Sequence, residues 1–396
     1  MSKLHISLVG GQPMPSYTGI IDDSPEAVIL VYSLKSERQA DTIAKAVQEK
    51  LNISCRKVEF DAFDLASIWK KLQLLSADIN EEDTVTINLS SGSKPWSILF
   101  HDFFKQRKNA KCIFIDQNNL VWDMENYSSR KLDYSPDMAE IFSLNGTKLK
   151  KHTDYTIFTE EDFKAISQIR AIRQKNIGAF KRTTQCFTAN PYHNEYHEDP
   201  QGNSYISWNE QTNSFHCEIE RYNHKIEYKD ISSPNIKRLM LSSGWFELDV
   251  THFLSQWNMA KEIWMNCEFV VKQSNNEQTQ NEIDIIINTG DKMLFVECKT
   301  QIHTITDIDK FNNSVRTYGG LAAKRIFFTD GEMKEEAREK CQNVEMPYFS
   351  LQELKNDAVK SRNFFEWLTN EMKQSNKNKH NIDSAISVQF MFEKNS

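Results

Sequence analysis

Asp284 on one apolar run, with Glu297 and Lys299 on the next, are charged side chains placed where they could do chemistry. They stand among Ile283, Ile285, Ile286, Leu294, Phe295 and Val296, where a charge is costly unless it is paired or metal-bound. Two carboxylates suit a hard divalent cation such as Mg2+ or Mn2+, which takes oxygen ligands and keeps several waters. A neighbouring ammonium can orient one of those waters for attack on a phosphate, so the chemistry is metal-assisted phosphodiester hydrolysis. A Glu-Lys pair on a solvent-facing strand edge would use the same residue types. The elements that carry these residues must decide between the two.

The runs Glu282 to Asn288 and Met293 to Lys299 are rich in strand formers, and Thr289-Gly290-Asp291 between them is turn chemistry, which predicts a β-hairpin. With an even loop, Asp284 is expected across from Phe295 and on the same face as Glu297 and Lys299; an odd loop would put them on opposite faces. Upstream, the stretch from Ser243 to Asp249 opens a helix whose Phe246, Val250, Phe253, Leu254 and Trp257 keep helical spacing, with Glu247 beside that apolar face. A β run from Glu262 to Val271, a polar loop (KQSNNEQTQ), the hairpin, a polar helix from Thr304, a strand from Arg325 to Thr329, a helix to Cys341 and a strand from Val344 to Phe349 make a coherent α/β unit.

The first 116 residues alternate strand-like and helical patterns, the signature of a mostly parallel, Rossmann-like sheet covered by helices. The expected strands are Leu4 to Val9, Ala27 to Tyr32, Arg56 to Phe60, Thr84 to Leu89 and Lys111 to Asp116. Ala40, Ile43, Ala44, Val47 and Leu51 share one helical face, as do Leu65, Ile68, Trp69, Leu72 and Leu75. Ligands of such sheets bind beyond the carboxyl ends of the strands. Two loops stand out there: Gly10 to Ser16 after the first strand, and Ser90-Ser91-Gly92-Ser93-Lys94 before a helix opening at Pro95. Small residues, hydroxyls, a helix N-terminus and a lysine can hold phosphate oxygens, although neither GxxxxGK[ST] nor GxGxxG is present. An ordinary N-cap with Pro95 at N1 would look the same.

Between these halves lie a hairpin (Asn119 to Met124, Arg130 to Tyr134), a polar connector with Lys148, Lys150, Lys151 and His152, and a helix from Thr159 leading to Arg170, Arg173, Lys175, Lys181 and Arg182. That basic cluster is read either as a solvated helix face or as a contact for a nucleic-acid backbone. Residues 186 to 232 suggest antiparallel hairpins and irregular loops, with His193, Glu195, His197 and Glu198 crowded at a spacing that is not HExxH. Residues 373 to 381 look like a polar linker before an alternating terminal strand (Ile386, Val388, Phe390, Phe392) that is expected to pair with a sheet edge.

The chain has 396 residues, which favours two domains, and a formal charge of -7, which does not suggest a general nucleic-acid coat, so any nucleic-acid contact is expected to be local, metal-assisted or both. Seven cysteines without CxxC pairs argue for reduced thiols and against a zinc site, and a start without a signal-peptide pattern points to a cytoplasmic protein.

The second half resembles the PD-(D/E)xK restriction-endonuclease-like fold, with Asp284 at the motif's aspartate, Glu297 and Lys299 at its Glu-x-Lys and Glu247 at the first-helix glutamate; Ile283 stands where the motif's proline would be. The first half resembles CARF domains, the Rossmann-like sensors of cyclic oligoadenylates in type III CRISPR systems. GGQPMP, SSGSK, GWFELDV, NEID, VECKT and YGGLAAKR together resemble one family of CARF-nuclease fusions, with Ser91 in place of a usual glycine.

The resemblance implies a CARF domain at 1–145, a connector at 146–185, a nuclease domain at 186–372 and a terminal linker and strand at 373–396. It implies a homodimer whose paired sensor domains bind cyclic tetra-adenylate through Gly11, Gln12, Pro13, Ser91, Gly92, Ser93 and Lys94, with Ser33 and Asp116 beside them. Glu247, Asp284 and Glu297 would hold Mn2+ or Mg2+, with Lys299 as the fourth catalytic residue, for cleavage of single-stranded DNA or RNA and nicking of duplex DNA. A ligand-independent restriction or repair nuclease, a ligand-sensing regulator with an inactive nuclease domain, and a sensor that degrades its own activator are the alternatives left open.

Overall fold

A computed structural model describes residues 2–189, 195–197, 202–240, 243–273, 276–290, 292–300, 305–319, 323–330 and 333–373. The N-terminal strands β1 (Lys3–Leu8), β2 (Ala27–Tyr32), β3 (Cys55–Glu59), β4 (Thr84–Asn88) and β5 (Ala110–Ile115) are parallel, and β6 (Leu120–Asp123) and β7 (Ser129–Lys131) extend the sheet antiparallel. Their order is β3-β2-β1-β4-β5-β6-β7, so the winding reverses between β1 and β4. Strands such as AVILVY are apolar almost throughout because helices cover both faces. On one side α1 (Met14–Asp23) and α2 (Glu37–Leu51) bury Tyr17, Ile20, Ala40, Ile43 and Val47. On the other, α3 (Leu65–Ala77) and α4 (Lys94–Phe104) bury Ile68, Leu72, Trp96, Phe100 and Phe104.

Two local readings differ from expectation. The loop after β1 ends at Pro13, because Pro15 falls in the first helical turn, where its missing N–H costs nothing. Leu65 and Trp69, expected on the apolar face of α3, are exposed; the buried stripe is the narrower set Ile68, Leu72 and Leu75.

Next come α5 (Met138–Leu144), β8 (Leu149–Asp154), α6 (Glu160–Arg173) and α7 (Ile177–Ala189). A four-stranded antiparallel sheet follows, formed by β9 (Glu195–His197), β10 (Tyr205–Asn209), β11 (Ser214–Glu220) and β12 (Ile226–Ser232). Short α8 (Ile236–Met240) and α9 (Gly244–Leu254) lead to β13 (Glu262–Gln273), β14 (Asn276–Asn288), β15 (Met293–Lys299), α10 (Ile305–Tyr318), β16 (Lys324–Thr329), α11 (Glu335–Asn343), β17 (Tyr348–Ser350), α12 (Leu351–Asn356) and α13 (Ala358–Lys373). The second large sheet runs β17-β16-β15-β14-β13-β8.

β8 therefore comes from the stretch read as a polar connector. It is polar because it is an edge strand, with Lys150 and Lys151 facing Glu268 of β13 at 3.7 and 3.8 Å. The polar loop expected at KQSNNEQTQ is taken up mostly by β13 and β14, which stay paired out to Gln273 and Asn276. The terminal strand expected at 386–392 lies outside the described residues. Among the described residues no helix is long and apolar enough to cross a membrane.

The two large sheets are joined through α5. Asp137 and Glu140 form its capping box, and the Glu140 carboxylate also accepts from Tyr17 Oη of α1 (2.8 Å) and from Tyr134, and pairs with Lys50 of α2 (3.0 Å). The opposite face of α5 buries Phe142 against Trp264 and Phe269 of β13. The preceding segment grips the β14–β15 turn, where Ser135 Oγ donates to Gly290 O (3.1 Å) and Asn288 Nδ2 donates to Pro136 O (2.9 Å).

Candidate functional site

β14 and β15 pair from Asn288 with Met293 to Ile285 with Val296, leaving residues 289 to 292 as the turn. Thr289 N donates to Lys292 O (3.0 Å) and closes it, with Gly290 at φ +93°, a conformation glycine adopts without strain. Phe295 consequently faces Ile286 and not Asp284. The expected pairing would need a two-residue turn; the four-residue turn moves the register by two, so Asp284 and Glu297 are the next residues beyond the last ladder pair. The even count keeps them on one face.

Beyond that pair the ladder is replaced by a side-chain contact: Cys298 N donates to Asp284 Oδ2 at 2.7 Å. Lys299 Nζ is 2.7 Å from Glu297 Oε1 and 3.9 Å from Asp284 Oδ2. Asp284 and Glu297 are each only 8% exposed, which excludes a solvent-facing edge pair. The first turn of α9 brings Glu247 to the same group, and Asn266 Nδ2 donates to its Oε2 at 2.7 Å.

The electrostatics are those of carboxylates short of positive charge. Burial, then the neighbouring Asp284, pushes Glu247 and Glu297 each up to about 8. Burial also raises Asp284, against the pull of Lys299 and the Cys298 amide. Burial works against charge on Lys299, but Asp284 and Glu297 override it and keep the ammonium protonated. Glu282, exposed and two residues before Asp284, adds further negative charge to Glu247 and Asp284. Its position is legible from strand alternation, which sequence reasoning passed over.

Oxygen donors without thiolate or imidazole fit Mg2+ or Mn2+, and a cation would relieve the charge deficit that burial creates. Among the described residues no three His, Cys, Asp or Glu side chains are grouped to hold an ion as they stand; the cation between Asp284 and Glu297 is the Lys299 ammonium.

In the first sheet, the loops after β1 and β4 meet where the winding reverses, the place where open α/β sheets bind ligands. Gly10 N donates to Ser91 Oγ (3.1 Å), and Ser91 Oγ donates to Gln12 O (3.3 Å). Gly11 and Gln12 are exposed and Pro13 is buried. Gly92 adopts φ +83°, and a Cβ there would stand 2.8 Å from the Trp96 ring. Ser93 caps α4 by accepting from Trp96 N (3.4 Å). Lys94 is the first helical residue, with Pro95 second and not at N1. Lys94 is exposed and has no hydrogen-bond or ion-pair partner among the described residues.

Ser33 and Asp116 follow the flanking strands β2 and β5. Ser33 caps a single 3-10 turn with Ser36. The Asp116 carboxylate closes the β5–β6 turn, accepting from Asn118 N (2.8 Å), Leu120 N (3.0 Å) and Trp122 Nε1 (3.2 Å).

Two arginines of the basic cluster after Thr159 are neither solvated nor free for nucleic acid. Arg170 pairs with Asp249 and Asp330 (2.5 Å each), and Arg173 with Asp330 (2.8 Å), both beside the Trp245 ring. These pairs tie α6 to α9 and to the end of β16. His193 and Glu198, and the side chains of Glu195 and His197, lie outside the described residues.

Comparison with known proteins agrees with this architecture. Residues 4–145 match the family model described as the Card1 CARF domain. Can2 from Sulfobacillus thermosulfidooxidans in complex with cyclic tetra-adenylate is similar over 88% of this chain and 95% of its own, at 16% identity and a TM-score of 0.65. Protein VC1899 from Vibrio cholerae is similar over 94% and 99%, at 13% identity and a TM-score of 0.71. A type III CRISPR defence DNA nuclease activated by cyclic oligoadenylate is similar over 84% of this chain and 46% of its own, at 13% identity and a TM-score of 0.51. Comparison with curated protein sequences gives no match. The chain is thus a mixed α/β protein whose N-terminal parallel sheet is of the Rossmann-like CARF type.

Proposed function

We propose that this protein is a CRISPR ancillary effector nuclease, activated by cyclic tetra-adenylate and cutting DNA, single-stranded RNA or both. The observation that carries the reading is the combination in one chain of a CARF-type sheet with a second sheet that gathers Asp284, Glu297, Lys299 and Glu247 at one end of a hairpin. The second half is assigned to the PD-(D/E)xK class on that arrangement. The division into a sensor at 1–145, a connector at 146–185 and a nuclease at 186–372 is proposed with it, the connector lending β8 to the nuclease sheet.

Asp284, Glu297 and Glu247 would hold Mn2+ or Mg2+, which polarises phosphoryl oxygens and supplies a nucleophilic water near neutral pH. Lys299 stays charged beside Glu297 and donates to the attacking water or to a phosphate oxygen. Asp284 and Glu297 are themselves buried, and the low access of bulk water strengthens these interactions. In the sensor, Gly11, Gln12, Pro13, Ser91, Gly92, Ser93 and Lys94 would contact the ring-shaped activator, with Ser33 and Asp116 at its margins.

Pairing of two sensors in a homodimer would present one symmetric cleft to that ring. The activator then switches cleavage only by binding the competent arrangement more tightly than the resting one. Solution scattering with and without the activator tests the dimer, and a monomer in both conditions would remove it.

One assay tests the function: protein, Mn2+ and labelled single-stranded DNA, RNA or plasmid, with cyclic tri-, tetra- or hexa-adenylate in turn. Cleavage that depends on the tetra-adenylate is expected. Equal cleavage without any activator would replace the proposal with a ligand-independent nuclease. Activator binding with no cleavage at all would make the chain a regulator with an inactive nuclease half.

A further inference from the structure

Asn266 stands in the middle of β13 at φ +49°, a left-handed conformation that asparagine tolerates better than most residues and that strands do not ordinarily contain. The ladder to β14 pairs Met265 with Ile285 and Cys267 with Ile283, skipping Asn266 opposite Asp284. The ladder to β14 keeps its register across this gap, whereas the ladder to β8 shifts register here, between Met265 and Glu268. Local strain of this kind persists where the surroundings hold it in place, and it clusters at functional sites.

The side chain shows what holds it. Arg238 Nη2 donates to Asn266 Oδ1 at 2.5 Å and also donates to Thr153 Oγ1. Because a guanidinium can only donate, the amide oxygen must face Arg238 and the amide nitrogen must face Glu247 Oε2, 2.7 Å away. Arg238 in turn is half-buried over the Phe158 ring. Its backbone oxygen lies where any Cβ at residue 244 would approach to 2.4 Å, so Gly244 is what lets α8 meet the start of α9.

Among the described residues Arg238 forms no ion pair with Glu247; the hydrogen-bonded link between them is the neutral Asn266 amide. A direct Arg-Glu pair would neutralise Glu247, whereas an amide orients it and leaves its charge for another cation. From this geometry we infer that Asn266 is a positioning residue which, braced by Arg238, aims the Glu247 carboxylate at a divalent cation held with Asp284 and Glu297. The inference rests on the metal-dependent reading above.

Mn2+ binding to the full-length protein, read by electron paramagnetic resonance without substrate, tests it. Asn266→Gly keeps the positive φ and deletes only the amide; it is expected to weaken Mn2+ binding about tenfold to a hundredfold, the usual cost of losing a residue that orients a ligand. Arg238→Met is expected to weaken binding in the wild-type background and to add little when combined with Asn266→Gly, since the two act through one contact. Thermal unfolding of each variant separates a positioning role from a general loss of fold. Wild-type Mn2+ affinity in Asn266→Gly, or fully additive losses in the double variant, would overturn the inference. Failure of the wild-type protein to bind Mn2+ at all would overturn the metal-dependent reading itself, and this assignment with it. Asp284→Ala, expected to lose binding, shows which site is being read.

Discussion

Two of the sets of buried carboxylates in the molecule are treated oppositely. In the N-terminal sheet Asp23, at the end of α1, has His5 Nδ1 at 3.0 Å, Lys3 at 3.3 Å and Lys111 at 3.5 Å. Burial alone would raise its pKa, but His5, Lys111 and Lys3 override it and hold the carboxyl well below the usual range. In the second sheet Asp284, Glu297 and Glu247 share one ammonium, Lys299, and burial pushes all three upward. Asp23 is a satisfied charge that fastens α1 to β1. The other three are an unbalanced set, and such sets mark sites where a further cation or a proton has work to do.

The largest effect that tests this contrast is on turnover. Asp284→Ala or Lys299→Ala should lower metal-dependent cleavage by about a hundredfold to a thousandfold or more, with activator affinity unchanged in an equilibrium binding assay. Chelation of divalent ions should do the same to the wild-type protein. Full activity in either variant would remove the assignment.

Stability should respond in the opposite sense. Asp23→Asn is expected to cost roughly 1–3 kcal/mol near pH 7 by urea denaturation, whereas Asp284→Asn should leave stability unchanged or raise it. A carboxylate with a depressed folded pKa stabilises the fold above its ordinary pKa, and that contribution is lost as pH falls toward the folded value. The penalty of Asp23→Asn should therefore shrink below about pH 4. A penalty independent of pH would mean that Asp23 acts by packing alone.

Smaller effects probe how the two halves communicate. Lys94→Ala should weaken binding of cyclic tetra-adenylate by about tenfold, the value of one charge-assisted contact; an unchanged binding isotherm would place Lys94 outside the cleft. Glu140→Gln removes the charge that gathers Tyr17, Tyr134 and Lys50 onto α5. It should leave activator binding nearly intact but cut the stimulation of cleavage by about fivefold, the low end of ordinary coupling energies. Unaltered stimulation would show that α5 is a spacer and not a coupler.

Much of this architecture is legible in the chain. AVILVY reads as a strand buried on both faces, and Ala40, Ile43 and Val47 read as one helical stripe, because local periodicity and burial share a cause. The identities of Asp284, Glu297 and Lys299, and the shared face of the last two, follow from alternation alone. β8 was not legible: an edge strand has no second neighbour to satisfy, so LKKHTD carries no apolar signature. Arg170 and Arg173 read as a solvated face or a nucleic-acid contact because their acids, Asp249 and Asp330, lie far along the chain.

Residue types and alternation thus settle what chemistry the hairpin could carry. Packing and turn closure settle whether its groups meet. The four-residue turn fixes Asp284 beside Glu297 where the ladder ends, and α9 carries Glu247 to them from a separate element. The turn of Asn266 toward Glu247 depends on a guanidinium from yet another helix. Contacts of that kind depend on closing long stretches of chain over a common core, and periodicity within one segment holds no record of them.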